Sequence, residues 1–146
     1  MPQMIFVNLP VKDVAKSTAF YEAIGCTKDV RFSNEQASAM QLSDEIVFMI
    51  LSQDFFKTFI TKPIADAHAS TEVLICISRD SRDAVDAIVD AAVAAGGKAD
   101  VGPKQDMGFM YGRSFEDLDG HVFEPMFMDM EAAMAAFPEG PAHEPA

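Results

Sequence analysis

The chain has no tryptophan, only two cysteines and two tyrosines in 146 residues, and 11 basic residues against 23 acidic ones. Each shortage excludes something. Cys26 and Cys76 lie far apart, in no metal-binding or redox spacing, which argues against a disulfide framework and a zinc module. Both thiols are expected to be structural, in a reducing, cytoplasmic setting. The formal charge of -12 repels phosphate backbones and anionic lipid, so no nucleic-acid and no membrane partner is expected. No apolar run approaches the ~20 residues that span a bilayer. The opening Met-Pro-Gln-Met lacks the charged and long apolar regions of a signal peptide. Neither a P-loop, nor G-x-G-x-x-G, nor the G-x-S-x-G nucleophile turn occurs, and the spacings offer no Ser-His-Asp or Cys-His arrangement.

What remains is an ordinary globular composition, 49 % apolar and 23 % charged with a mean hydropathy of +0.08. At this length the chain buries roughly 68–70 % of its unfolded surface, enough for one core. Met4 to Val11 reads as a strand. Asp13 opens a helix carrying Val14, Phe20, Tyr21 and Ile24, closed by Gly25. Thr27 to Phe32, Ala37 to Leu42 and Ile46 to Leu51 read as three strands between polar turns. After a polar linker the order starts again. Glu72 to Ser78 is a strand, and Asp80 or Ser81 caps a helix with an apolar face of Val85, Ile88, Val89, Ala92 and Val93, ended by Gly96-Gly97. Lys98 to Val101, Gly108 to Phe115 and His121 to Met128 complete three more strands.

The halves superpose in sequence, Phe6–Val11 on Glu72–Ile77 and Asp44–Ile50 on Asp119–Pro125. A βαβββ unit therefore occurs twice. The expected organisation is a single α+β domain over 1–137, with modules at 4–52 and 72–128, a linker at 53–71, a short helix at 129–137 and a frayed tail at 138–146.

Two short patterns carry a family resemblance. They are V-x-D followed by S-x-A-F-Y-E-x-x-G (Val11, Asp13, Ser17, Ala19, Phe20, Tyr21, Glu22, Gly25) and E-D-x-D-G-H-x-x-E (Glu116 to Glu124). In this order, on doubled modules, the chain resembles the vicinal oxygen chelate superfamily, which includes glyoxalase I, bleomycin and fosfomycin resistance proteins and extradiol dioxygenases. The resemblance implies curved mixed sheets around a cavity, within a homodimer. It also implies metal-ligand positions on the first and last strand of each module, falling here on Phe6 and Met49 and on Glu72 and Glu124. Phe has no donor atom and Met is a soft, weak ligand, so half of such a site is missing. Glu72 and Glu124 with waters could hold only a labile divalent ion such as Mg²⁺ or Mn²⁺.

The period of two along strands puts Met4, Phe6 and Asn8 on one face, as it does Val47, Met49 and Leu51, then Glu72, Leu74 and Cys76, then Val122, Glu124 and Met126. That lining is apolar with a few polar points, as in a small-molecule pocket and equally as in a plain core. Glu72 and Glu124 are the candidate catalytic pair, able to share a proton or act as base and acid if both face the cavity. At a strand start, Glu72 has solvent as its competing environment. Phe6, Asn8, Met49, Tyr111 and Arg113 are candidate ligand contacts, the last two for an anionic or aromatic group. Lys104 could assist with an anion. His121 faces away from Glu124, His68 sits in the linker and His143 in the tail. Phe55, Phe56, Phe59 and Ile60 either cover the cavity mouth, meet a second subunit or form a short helix closing the core. Two functional readings follow. The first is a binding protein for a small, partly apolar molecule without a tightly held metal. The alternative is an atypical divalent-metal lyase, isomerase or dioxygenase of the lactoylglutathione lyase kind. A third, an interaction module with a filled cavity, would show no open recess.

Overall fold

Residues 2–137 are described in the computed structural model. The expected tail at 138–146 lies outside them. The first half folds as β1 (Ile5–Val11), α1 (Val14–Ala23), β2 (Thr27–Asp29), β3 (Ala37–Gln41) and β4 (Ile46–Ser52). These strands form one sheet in the order β1-β4-β3-β2, with β1 parallel to β4 and the other pairs antiparallel. The short helix α2 (Gln53–Lys57) follows β4 directly, capped by Ser52.

The second half repeats the plan with β5 (Leu74–Ser78), α3 (Arg82–Ala94), β6 (Lys98–Ala99), β7 (Gln105–Asp106), β8 (Met110–Gly112), β9 (Phe115–Glu116) and β10 (Val122–Met128). Here β5 is parallel to β10, whose other edge pairs antiparallel with β9 and then β8. The expected single strand from Gly108 to Phe115 is thus two pieces. Pro125 of β10 lies opposite Arg113, accepting from its N–H at 3.2 Å. Proline has no N–H to return, so the ladder breaks there. A last helix, α4 (Met130–Ala136), is capped by Asp129.

Three further expectations are corrected. The strand expected to run to Phe32 stops at Asp29, whose side chain caps a 3-10 turn over Val30–Phe32. The strand expected to start at Glu72 starts at Leu74. Lys98 to Val101 is strand only at Lys98–Ala99, where Asp100 takes a φ of 53°.

One core joins both modules. Leu9, Val11, Met40, Phe48 and Ile50 of the first sheet meet Ile77, Phe115 and Phe123 of the second around Phe20 and Tyr21 of α1 and Ile88, Val89 and Ala92 of α3. The rings form a connected set, with Phe48 and Phe123 edge to face at 5.3 Å and Phe115 stacked on Phe123 at 5.1 Å. Helix α1 is buried along Ser17, Thr18, Phe20 and Tyr21 because it lies between the modules. Its buried hydroxyls are satisfied. Ser17 donates to Asp119, Thr18 to the Val14 carbonyl, and Tyr21 to Asp117 at 2.6 Å.

Candidate functional site

With helices and core on one side, the other faces of the curled sheets stay open. On the first sheet, Phe6 and Asn8 of β1 and Met4 just before it line a recess of about 620 Å³ with Val47 and Met49 of β4 and Ala39 and Gln41 of β3. The structure therefore brings together three of the residues singled out in sequence, Phe6, Asn8 and Met49. Sequence reasoning missed Asp29, Arg31 and Phe32, which complete the lining. The 3-10 turn after β2 puts them there, and the Asp29 cap two residues before Arg31 is the signal that could have shown it. Arg31 grips Asp29 through two side-chain bonds of 3.0 and 2.9 Å, so this rim is a closed ion pair. That contact holds the Asp29 carboxyl below the usual carboxylate range.

Glu124 stands elsewhere. It lines a recess on the second sheet with Leu74, Ser114, Glu116 and Val122. Glu72 is exposed and lines another recess with Asn8, Phe56 and His121, so the two glutamates share none of these recesses. The ladder registers explain why. Phe6 is opposite Val47, whereas Leu74 is opposite the matching Val122, so the repeat alignment slips by two residues and Glu72 matches Met4. The base-and-acid pair expected of Glu72 and Glu124 is not assembled within one chain.

Tyr111 and Arg113 also go to another place. Tyr111 donates to Asp86 of α3 at 2.7 Å, and Arg113 bonds Asp86 at 3.0 Å and Asp100 at 3.0 and 2.7 Å. These two side chains anchor α3 and the β6 end instead of facing a curled-sheet recess, and the bonds lower the pKa of Asp86 and Asp100. The half-buried His121 Nε2 donates to the Pro10 carbonyl across the module boundary at 2.9 Å. Of the apolar linker residues, Phe55 and Phe56 lie on α2, which packs against β1 and β4, while Phe56, Phe59 and Ile60 line a recess with Phe6.

Both thiols are pushed above the ordinary cysteine range. Burial pushes Cys26 up to about 12. Cys76, beside Glu124 in the β5–β10 ladder, is raised by burial and then by the Glu124 carboxylate.

The model of the Glyoxalase/Bleomycin resistance protein/Dioxygenase superfamily matches residues 3–124. The chain belongs to this superfamily. Its fold is shared with solved structures. A hypothetical protein from S. aureus is 27 % identical with a TM-score of 0.73, over 87 % of this chain and 95 % of that one. A glyoxalase/bleomycin resistance protein/dioxygenase family enzyme from Burkholderia phytofirmans PsJN is 16 % identical with a TM-score of 0.70, over 87 % and 99 %. A genomically encoded fosfomycin resistance protein from Listeria monocytogenes is 21 % identical with a TM-score of 0.63, over 90 % and 97 %. No curated protein matches.

The metal centre implied by likeness to the glyoxalase superfamily does not fit these residues. At the strand positions concerned, the register supplies Phe6 and Met49 on one sheet and Leu74 and Glu124 on the other, a single carboxylate among them. Among the described residues no three His, Cys, Asp or Glu side chains cluster as a metal site would need.

Proposed function

We propose that this superfamily member binds a small, partly apolar, uncharged molecule in the recess on its first sheet, without a tightly held metal, as a homodimer whose second copy covers that face. The recess itself carries this reading. Phe6, Met4, Phe32 and Met49 give an adaptable apolar wall, and Asn8 and Gln41 give two orienting amides. The Arg31–Asp29 pair neutralises its own rim, which favours an uncharged ligand over an anion. Its volume of about 620 Å³ suits a drug-sized or smaller molecule. The homodimer is supported by the openness of the strands. Phe6 is 54 % exposed and Leu74, at the equivalent place on the second sheet, 57 %, apolar surface on the open faces that a second copy would cover.

The test uses an environment-sensitive dye, anilinonaphthalene sulfonate, displaced by a panel of uncharged aromatic and aliphatic compounds. Phe6→Ala is expected to weaken the best displacer about tenfold, the loss of one apolar wall. Equal affinity in wild type and variant would sink the reading. Elemental analysis of the purified protein is expected to find no stoichiometric metal, and light scattering to find a dimer. A stoichiometric ion lost in Glu124→Gln would overturn the metal-free assignment.

A further inference from the structure

A second cleft, of about 830 Å³, shares no lining residue with the recess on the first sheet. It opens across the module boundary, between the start of α1, the linker after α2 and the turn before β10. We propose that it is a binding site for a small phosphate-bearing molecule.

Its charge sets it apart. The whole chain carries 11 cations against 23 carboxylates, yet this cleft gathers Lys12, Lys16 and Lys57 against three carboxylates, with His68 and His121 beside them. The three carboxylates are committed to the fold. Asp13 accepts from the Lys16 N–H at 3.0 Å and Asp66 from the His68 N–H at 3.0 Å. Asp119 accepts from the Lys12 N–H at 2.9 Å and the Ser17 hydroxyl at 3.3 Å. None of the three ammonium groups makes an ion pair among the described residues, whereas Arg31, Arg82 and Arg113 are all paired. The cleft thus holds three exposed cations outside any ion pair among the described residues, while the carboxylates lining it accept from backbone N–H groups and the Ser17 hydroxyl.

The cation type selects the ligand. An ammonium is a compact point charge on a flexible stem that meets phosphate oxygens from any direction, while planar carboxylate recognition favours the guanidinium fork, which this cleft lacks. The overall charge of -12 keeps extended polyanions away, so the occupant is a small molecule rather than a nucleic acid or a membrane. Lys12 and Lys16 belong to the first module, Lys57 and His68 to the linker and His121 to the second module, so an occupant spans the joint.

Amide shifts of the full-length protein, followed during titration with inorganic pyrophosphate at fixed ionic strength, test this. Saturable shifts are expected at residues 12–17, 57, 66–68 and 118–121. The triple variant K12A/K16A/K57A, at exposed positions that leave the core intact, is expected to bind at least tenfold more weakly. Equal affinity in the triple variant, shifts scattered over the surface, or tighter binding of citrate than of pyrophosphate would each overturn the proposal. So would lysine-dependent sedimentation with phosphatidic acid vesicles, which would make the surface a membrane contact. Phe6→Ala is expected to keep pyrophosphate binding, so this site and the apolar recess stand or fall separately.

Discussion

Replacing Asp117 by alanine is expected to lower the unfolding free energy by about 4 kcal/mol, close to the whole stability of many domains. The carboxylate is 4 % exposed and takes three bonds, from the Tyr21 hydroxyl at 2.6 Å, the Asp119 N–H at 3.0 Å and the His121 N–H at 2.8 Å. Alanine leaves a buried phenol and two turn donors without an acceptor, each costing roughly 1–3 kcal/mol when unsatisfied. Asparagine keeps an acceptor for the turn and removes the charge, so its cost is smaller and depends on pH in a stated direction. Burial, the largest cause, raises the Asp117 carboxyl above its ordinary value, against the opposing pull of His121 and the Tyr21 bond. A carboxyl with a raised folded pKa binds more protons folded than unfolded. Its contribution is therefore fully present below the unfolded value, roughly pH 4, and is lost as pH rises through the folded pKa. The deficit of Asp117→Asn relative to wild type should be largest near pH 3 and shrink toward neutrality. Urea unfolding of both variants from pH 3 to pH 7 measures this, and a deficit that grows with pH would contradict it.

Phe123→Ala is expected to cost about 4 kcal/mol as well, through a cavity rather than an orphaned donor. Phe123 is fully buried and its ring touches three others, with centroids 5.1 Å from Phe115, 5.3 Å from Phe48 and 6.0 Å from Tyr21. Phe48 belongs to the first sheet and Phe115 to the second, so the void opens where the modules meet and cannot be closed by one side alone. Denaturant midpoints at an unchanged m-value would report that loss. A cost below 1.5 kcal/mol would mean that the two sheets collapse onto the gap and that the joint is softer than its packing indicates.

How much was legible follows from which interactions are local. The strands β4 and β10 and the helix α3 were readable because their apolar spacing is set by one buried face and their ends by Ser81 and Gly96. The register slip between modules was not readable. A two-residue shift keeps every side chain on the same face of a strand, so Glu72 and Leu74 are equivalent to any argument from period. The partners of Tyr111 and Arg113 were hidden for another reason, since Asp86 lies on a helix more than two dozen residues away in sequence. Strand alternation shows that two side chains share a face and says nothing of what waits opposite it. The break at Pro125 was visible in the letter itself, because a proline inside a central strand always removes a ladder donor.

The tyrosine bonds have a spectroscopic consequence. With tryptophan absent, Tyr21 and Tyr111 are the chain's emitters of longer-wavelength ultraviolet fluorescence. Both donate their phenol proton to a carboxylate, Asp117 and Asp86 respectively, a contact that drains the excited state by proton transfer. The native protein should therefore be dim and brighten on unfolding. Tyr21 reports the seam between modules and Tyr111 the seat of α3, so Tyr111→Phe turns the signal into a label-free clock for the moment at which the two halves come together.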